Sequence, residues 1–341
     1  MKRFNARFRE AFKQRTKGVK KADLYKHLND REITTDKTKI AWVQNLKTQL
    51  VKGKKLDDFS QEKISVSLYR PFNKQWLYWD KIWINRQGKF SKIFPDKHAQ
   101  NVVINTTIRN FSALVSDAIP DTHFIGDANA YPLYYYDDLG NRHYAISGYA
   151  LNLFRRHYKD NAITEEEIFY YIYAILHHKG YLKKYKNSLA KEAPRIALSE
   201  DFKELSVLGK ELAKLHLNYE SGEMHTIVKY TTLMNAEVEG YYDVEKMIKE
   251  MKKGECRIIY NKNITITKIP KKAFDYVLNG KSAIDWVIES YKKTMDKDIL
   301  IENNPNDYAG GKYVFELLCR VIKLSEKSVD LIEKISEKRF E

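Results

Sequence analysis

From residue 60 onward, apolar and polar positions alternate along the chain. In "KISVSLYR", Ile64, Val66 and Leu68 recur at every second position, the period of a half-buried strand. "QWLYWDKIWI", "NVVINTT", "FSALVSD" and "YPLYYYDD" are aromatic and β-branched runs of the same kind. Pro71, Pro95, Pro120, Gly126 and Gly140 punctuate them. These runs predict a mostly β unit over residues 63–148.

After Gly148 the period becomes helical. Thr164 and Glu167 have capping-box spacing, Glu165 and Glu166 fill the first turn, and Ile168, Ile172, Ile175 and Leu176 make one stripe. Gly180 interrupts, and "YLKKYKNSLAKE" runs to a stop before Pro194. Ser199 is placed to cap a further helix with Phe202, Leu205, Leu208, Leu212 and Leu215 on one face. "CRIIYNKNITITKIP" predicts a hairpin turning at Asn261–Asn263. Ser282 caps a helix that turns Ile284, Val287, Ile288 and Tyr291 inward, and "NNPNDYAGG" is a loop. Two closing helices follow, the second capped by Ser325. The first sixty residues look helical and very basic, with Phe4, Phe8 and Phe12 one turn apart and a loop near "VKGKKLDD". The expected fold is α+β: a β-rich central unit, then a largely helical domain with a β-hairpin.

Charge changes this picture from a fold to a partner. Sixty basic against 45 acidic residues leave a formal charge of +15, and 24 tyrosines accompany it. Such an excess attracts polyanions, and nucleic acid leads among them. A lysine-rich, AT-biased genome would raise lysine everywhere and is the competing explanation. Cys256 and Cys319 are too few for a four-cysteine zinc site or a disulfide framework, which fits a reducing cytoplasm. No apolar stretch approaches a membrane span and no signal peptide opens the chain. The opening residues would also suit a transit or membrane-surface helix, but an ordinary amphipathic helix is the simpler reading.

Catalytic signatures fail by spacing. Gly280-Lys281-Ser282 has Asp275 where a P-loop needs glycine. Asn304-Pro305-Asn306-Asp307-Tyr308 lacks the second proline of an amino-methyltransferase loop, and reads as a turn. Pro95-Asp96 and Pro120-Asp121 have only the remote Glu250-Met251-Lys252, predicted helical, to complete a nuclease triad. Asp117, Asp121, His123 and Asp127 could converge on a divalent ion, yet Asp-, Pro- and Gly-rich loops make such clusters by turn chemistry alone. Neighbours on a helix point about 100° apart, so His177 and His178 cannot share an ion. One is expected beside Ile175 and the other in solvent. No catalytic residue and no metal ligand is assigned. Lys179, Lys183, Lys184 and Lys186, interleaved with Tyr181 and Tyr185, suit phosphates, or equally a solvated helix face.

Several strings together resemble one family. "YRPFNKQWLYWD", "FSALVSDAIPDTHFIGD", "YPLYYY", "YIYAILHHKGYLKKYKNSLAKEAPRIAL", "GKELAKLHLNYE" and "NGKSAIDWVIESY" are similar to the C-terminal third of type ISP restriction-modification enzymes. These are single polypeptides joining a nuclease, a helicase-like ATPase, an adenine-N6 methyltransferase and a target recognition domain. The resemblance implies that residues 1–62 are the tail of the methyltransferase region, 63–148 the junction and start of the recognition domain, and 149–341 its mainly helical remainder. "MKRFNARFREAF" resembles an internal segment, so Met1 reads as an internal methionine or a truncation. The implied partners are duplex DNA and the upstream domains, in a bacterial cytoplasm. AdoMet, ATP and Mg²⁺ would belong upstream, with no cofactor held by this chain.

Within that frame, base-reading candidates come from side-chain chemistry in loops. They are Arg109 and Asn110, then Asn141, Arg142 and His143 in the "LGNRHY" turn, and Asn261 and Asn263 at the hairpin tip. Lys183, Lys184, Lys186 and Lys262 are phosphate candidates. Arg70 either positions DNA or pairs structurally beside Pro71 and Phe72. The alternative is a self-contained DNA-modifying enzyme, a nuclease or methyltransferase, with a site around Asp117, Asp121 and His123.

Overall fold

The computed structural model describes residues 10, 12–27, 44–52, 59–84, 87–230, 238–252, 255–297 and 301–340. The segment around Phe4 and Phe8 and most of the "VKGKKLDD" loop fall outside them.

The alternating runs form eight strands: β1 (Ile64–Arg70), β2 (Asn73–Tyr78), β3 (Val103–Thr107), β4 (Ala113–Ser116), β5 (Ile119–Pro120), β6 (Ala128–Pro132), β7 (Tyr134–Tyr136) and β8 (Arg142–Tyr144). They make a β2-β1-β5 sheet, a β4-β3-β6 sheet and a separate β7-β8 ribbon. All five residues of β3 are buried because both its faces are covered. Val103 joins a small core with Trp79, Ile93, Phe94 and Ile119, while Ile104 joins a larger helical core.

That helical core is built from α1 (Gly148–Tyr158), α2 (Glu165–Ile175), α3 (Lys179–Lys184) and α4 (Phe202–Leu217). The capping box forms: Thr164 Oγ1 accepts from Glu167 N at 3.2 Å and Glu167 accepts from Thr164 N at 2.8 Å. Gly209 lets α4 lie directly on α2, since a Cβ there would stand 2.0 Å from Tyr170 O.

The other large core packs an antiparallel sheet, β9 (Val228–Tyr230), β10 (Ile248–Lys252), β11 (Glu255–Ile259) and β12 (Ile264–Ile269), in the order β10-β11-β12-β9. A two-strand turn, β13 (Val277–Leu278) and β14 (Lys281–Ser282), leads into α5 (Ala283–Ser290), and Ser282 Oγ accepts from Asp285 N as expected. The last element is α6 (Gly311–Ser336). Its Val314–Val329 stretch feeds this core and Ile335 the helical one. The architecture is α+β.

Several expectations change. In β1 the small polar residues face inward, Ser65 and Ser67 being buried and Ser67 Oγ donating to Ile119 O at 2.8 Å, while Val66 is exposed. The "NNPNDYAGG" stretch holds one helical turn, Pro305–Tyr308, capped by Asn304. Ser325 does not cap a second closing helix; it lies buried inside the continuous α6, its hydroxyl donating to Val321 O at 2.7 Å. Asp201, not Ser199, holds the cap position of α4, and Ser199 Oγ accepts from Asp201 N at 3.0 Å. Residues 250–252 are strand, because β10 pairs with β11 and Glu250 meets Arg257 across the ladder at 2.9 Å. Both His177 and His178 are buried. His177 Nδ1 lies 2.8 Å from Tyr173 O, and His178 Nδ1 caps α3 by accepting from Tyr181 N at 3.2 Å.

A buried polar link ties the helices together. Tyr173 OH on α2 donates to His216 Nδ1 on α4 at 2.6 Å, and His216 Nε2 reaches Ser328 Oγ on α6 at 2.9 Å. Burial pulls His177 down to about 4 and lowers His216 as well, so both rings are neutral in the fold.

Candidate nucleic-acid interface

The β7–β8 ribbon is a preformed finger. Gly140 N donates to Asp137 O at 3.1 Å and Asp137 N to Asn141 O at 3.0 Å. Gly140 takes a φ of 84°, which closes a three-residue hairpin with glycine in the left-handed position. The Asp137 carboxylate then accepts from Leu139 N (2.9 Å), Asn141 N (2.8 Å) and Asn141 Nδ2 (3.1 Å), and meets His143 Nε2 at 3.0 Å. The His143 bond, followed by those from Asn141, holds this carboxyl far below the usual range. Asn141's amide and one His143 nitrogen are thereby engaged within the turn. Arg142 is exposed and its guanidinium carbon lies 4.4 Å from the Tyr134 ring centroid, while His143 stacks on Tyr135 at 5.3 Å.

Arg109 and Asn110 occupy the exposed turn between β3 and β4. Asn110 is left-handed, with a φ of 47°, and its carbonyl accepts from Thr107 Oγ1 at 3.3 Å and Ser112 Oγ at 3.1 Å. The β13–β14 turn docks here, Asn279 N donating to Ser112 Oγ at 2.8 Å. Asn279 and Gly280 are themselves left-handed, at φ 46° and 81°. Gly126 adds a third loop, where a Cβ would fall 2.5 Å from Asn279 Nδ2. Arg109 stands on this interlocked support without an ion pair among the described residues. Asn279-Gly280 joins the site only through this docking, although Asn-Gly is a hairpin-turn signal in its own right.

The β11–β12 tip corrects one assignment. Asn261 is buried, its Nδ2 donating to Tyr241 O (3.0 Å) and Asp243 O (2.9 Å) and its Oδ1 accepting from Asn263 N and Ile264 N (both 2.9 Å). With donor and acceptor both spent on the loop, Asn261 builds the turn and is withdrawn as a base reader. Asn263 Nδ2 also donates to Tyr241 O, at 3.2 Å. Lys262 is exposed at the tip, its backbone N–H directed to Glu245 at 3.3 Å.

Lys183, Lys184 and Lys186 are exposed on α3 and the short helix Lys186–Leu189 that follows. Lys184 Nζ lies 5.3 Å from the Tyr185 ring and 5.5 Å from that of Phe340. For Arg70 the geometry favours structural pairing. Its Nη1 donates to Asp121 (3.1 Å) and Tyr69 O (2.6 Å), and its guanidinium carbon lies 4.0 Å from the Tyr69 ring centroid. Asp121 also accepts from His123 N at 2.9 Å, and His123 Nδ1 meets Asp127 at 2.8 Å. These acids therefore build the loop. Among the described residues no three His, Cys, Asp or Glu side chains gather as a metal site, and no described helix is long and apolar enough to cross a membrane.

Comparison with known proteins adds a family to this geometry. Residues 2–317 match the family described as the Type ISP C-terminal specificity domain. The chain is similar to a nuclease-deletion mutant of the Type ISP restriction-modification enzyme LlaGI, solved in complex with a DNA substrate mimic. Identity is 33% and TM-score 0.75, over 92% of this chain and 24% of that one. It is similar to the ATP-dependent Type ISP restriction-modification enzyme LlaBIII bound to DNA, at 30% identity and TM-score 0.77, over 98% of this chain and 21% of the other. The DrdV–DNA complex matches at 28% identity and TM-score 0.80, over 97% and 33%. The chain thus spans a third or less of each of these proteins. No curated protein matches.

Proposed function

Because the chain belongs to the family of type ISP C-terminal specificity domains, we propose that it recognises a duplex DNA sequence on behalf of a longer restriction-modification enzyme. The observation that carries this reading is the likeness, at 33% and 30% identity over more than nine-tenths of the chain, to two Type ISP enzymes held on DNA or its mimic. The +15 formal charge supports it, because phosphate neutralisation supplies the sequence-independent part of such binding.

The site geometry suggests a division of labour. Arg142 and Arg109 present planar, multidonor forks from rigid turns, the chemistry that matches guanine O6 and N7. Asn110 offers an amide, while Asn141 and His143 chiefly fix the ribbon and Asn263, its Nδ2 donating to Tyr241 O, chiefly fixes the β11–β12 tip. Lys183, Lys184, Lys186 and Lys262 are point charges suited to phosphates. In this reading the chain holds no cofactor; AdoMet, ATP and Mg²⁺ serve segments of the parent enzyme outside it.

The test is selection from a random-sequence duplex pool with this chain, followed by competition between the selected duplex and a scrambled one. Preferential retention of the selected duplex is the expected result. Equal competition by both would remove the recognition reading, and no retention of any duplex would remove DNA binding altogether.

A further inference from the structure

Leu139 is the most exposed large apolar side chain among the described residues, at 88%. Single exposed leucines are ordinary, but this one is held at the tip of the hydrogen-bonded turn around Asp137. Tyr135, Tyr144 and Tyr149 are exposed along the same stretch. The ribbon beneath it pairs with no other strand. Its β8 strand is exposed throughout, while on the β7 side Asn101 anchors the base by accepting from Tyr134 N at 3.1 Å and donating to Tyr134 O at 2.7 Å.

We propose that the β7–β8 ribbon enters the major groove of duplex DNA and that Leu139 packs there on the 5-methyl group of a thymine. The inference rests on the reading that the chain binds duplex DNA. Two antiparallel strands stand about 5 Å apart, and a two-stranded ribbon fits a major groove roughly 12 Å wide. The thymine methyl is the one apolar group that the groove edges of the bases display, and it lies in the major groove. Asp138, beside Leu139 and 89% exposed at its side chain, chooses between grooves. A carboxylate is disfavoured in the narrow, strongly negative minor groove, whereas cytosine N4 in the major groove is a donor for it. Lys92 pairs with Asp138 at 3.0 Å and tempers its repulsion from the phosphate walls. Because the turn is already closed, little ordering entropy is lost when it docks.

The experiment uses a duplex selected from a random pool by the wild-type chain. Its thymines are replaced one at a time by deoxyuridine, which lacks only the methyl group. At one position the replacement is expected to weaken wild-type binding about fourfold, the worth of one buried methyl group. The same replacement should leave Leu139→Ala binding unchanged, while Leu139→Met keeps the thymine dependence. The inference is overturned if no thymine couples to position 139, or if the selected site contains no thymine. Those results leave DNA recognition standing. A chain that retains no duplex in the selection overturns both.

Discussion

Gly209→Ala is a substitution that ordinarily stabilises a helix interior, by about 1 kcal/mol. Here the sign reverses. The new methyl would sit 2.0 Å from Tyr170 O, 2.9 Å from its carbonyl carbon and 3.1 Å from Ala174 Cβ. Comfortable contact needs about 3.5 Å, so α4 would have to back away from α2 by more than roughly 1 Å. Those helices bury Ile168, Tyr171 and Ile175 against Leu205, Leu212 and Ala213, and a displacement opens that whole seam. Overpacking of this kind costs about 1–3 kcal/mol, and at roughly 2–4 °C per kcal/mol the melting temperature should fall by several degrees. Gly148→Ala is the control: it begins α1 with nothing within 4 Å of the added Cβ, so its melt should match wild type or rise slightly. Thermal melts followed by circular dichroism read both. A Gly209→Ala protein that melts at or above wild type refutes the close-approach argument.

Acid should weaken the fold before its carboxylates titrate. His177 is neutral and buried with its pKa pulled down to about 4, against about 6.5 in an unfolded chain. Its contribution is complete above the unfolded value and is lost as pH falls from there towards the folded one, about 3 kcal/mol in all, with His216 acting in the same direction. Urea midpoints that do not drop between pH 7 and 5 would contradict this. DNA affinity should fall steeply with salt, near 0.9 in log–log slope per phosphate contact. Replacing Lys183, Lys184 or Lys186 with Ala should weaken every duplex alike and flatten that slope by about one; an effect confined to the selected duplex would argue against phosphate contact. Arg142→Ala should cost roughly 1–3 kcal/mol on the selected duplex and little on a scrambled one. Equal losses on both in competition binding would make it a backbone contact.

Local chemistry was legible in the chain. The Thr164–Glu167 box, the Ser282 cap and the turn at 261–263 each depend on residues a few positions apart, and each formed. The 64–68 alternation gave a strand, but not the expected face: Val66 is exposed between buried Ser65 and Ser67. Features set by distant neighbours were not. Ser325 looks like a cap in isolation, but burial in α6 turns its hydroxyl back onto Val321. One of the pair His177 and His178 is expected in solvent, but residues 338–340 cover His178 and leave neither exposed. Asn261 has the side chain of a base reader, and only the approach of the 241–243 loop shows that its amide is already committed. The support beneath Arg109 likewise joins turns 167 positions apart, through Ser112 and Asn279.

The residues that close α3 and its lysines arrive late in time. His178 is bound by Lys338 O, 160 positions further on, and Ser199 and Asp201 are tied to Arg339 across 140 and 138. A ribosome adding about 5–20 residues per second needs roughly 8–32 s to make that stretch. During that interval the lysine-bearing turn has been synthesised but lacks the residues that pin it. The surface proposed to grip phosphate is therefore among the last parts of the described fold to be finished as the chain emerges.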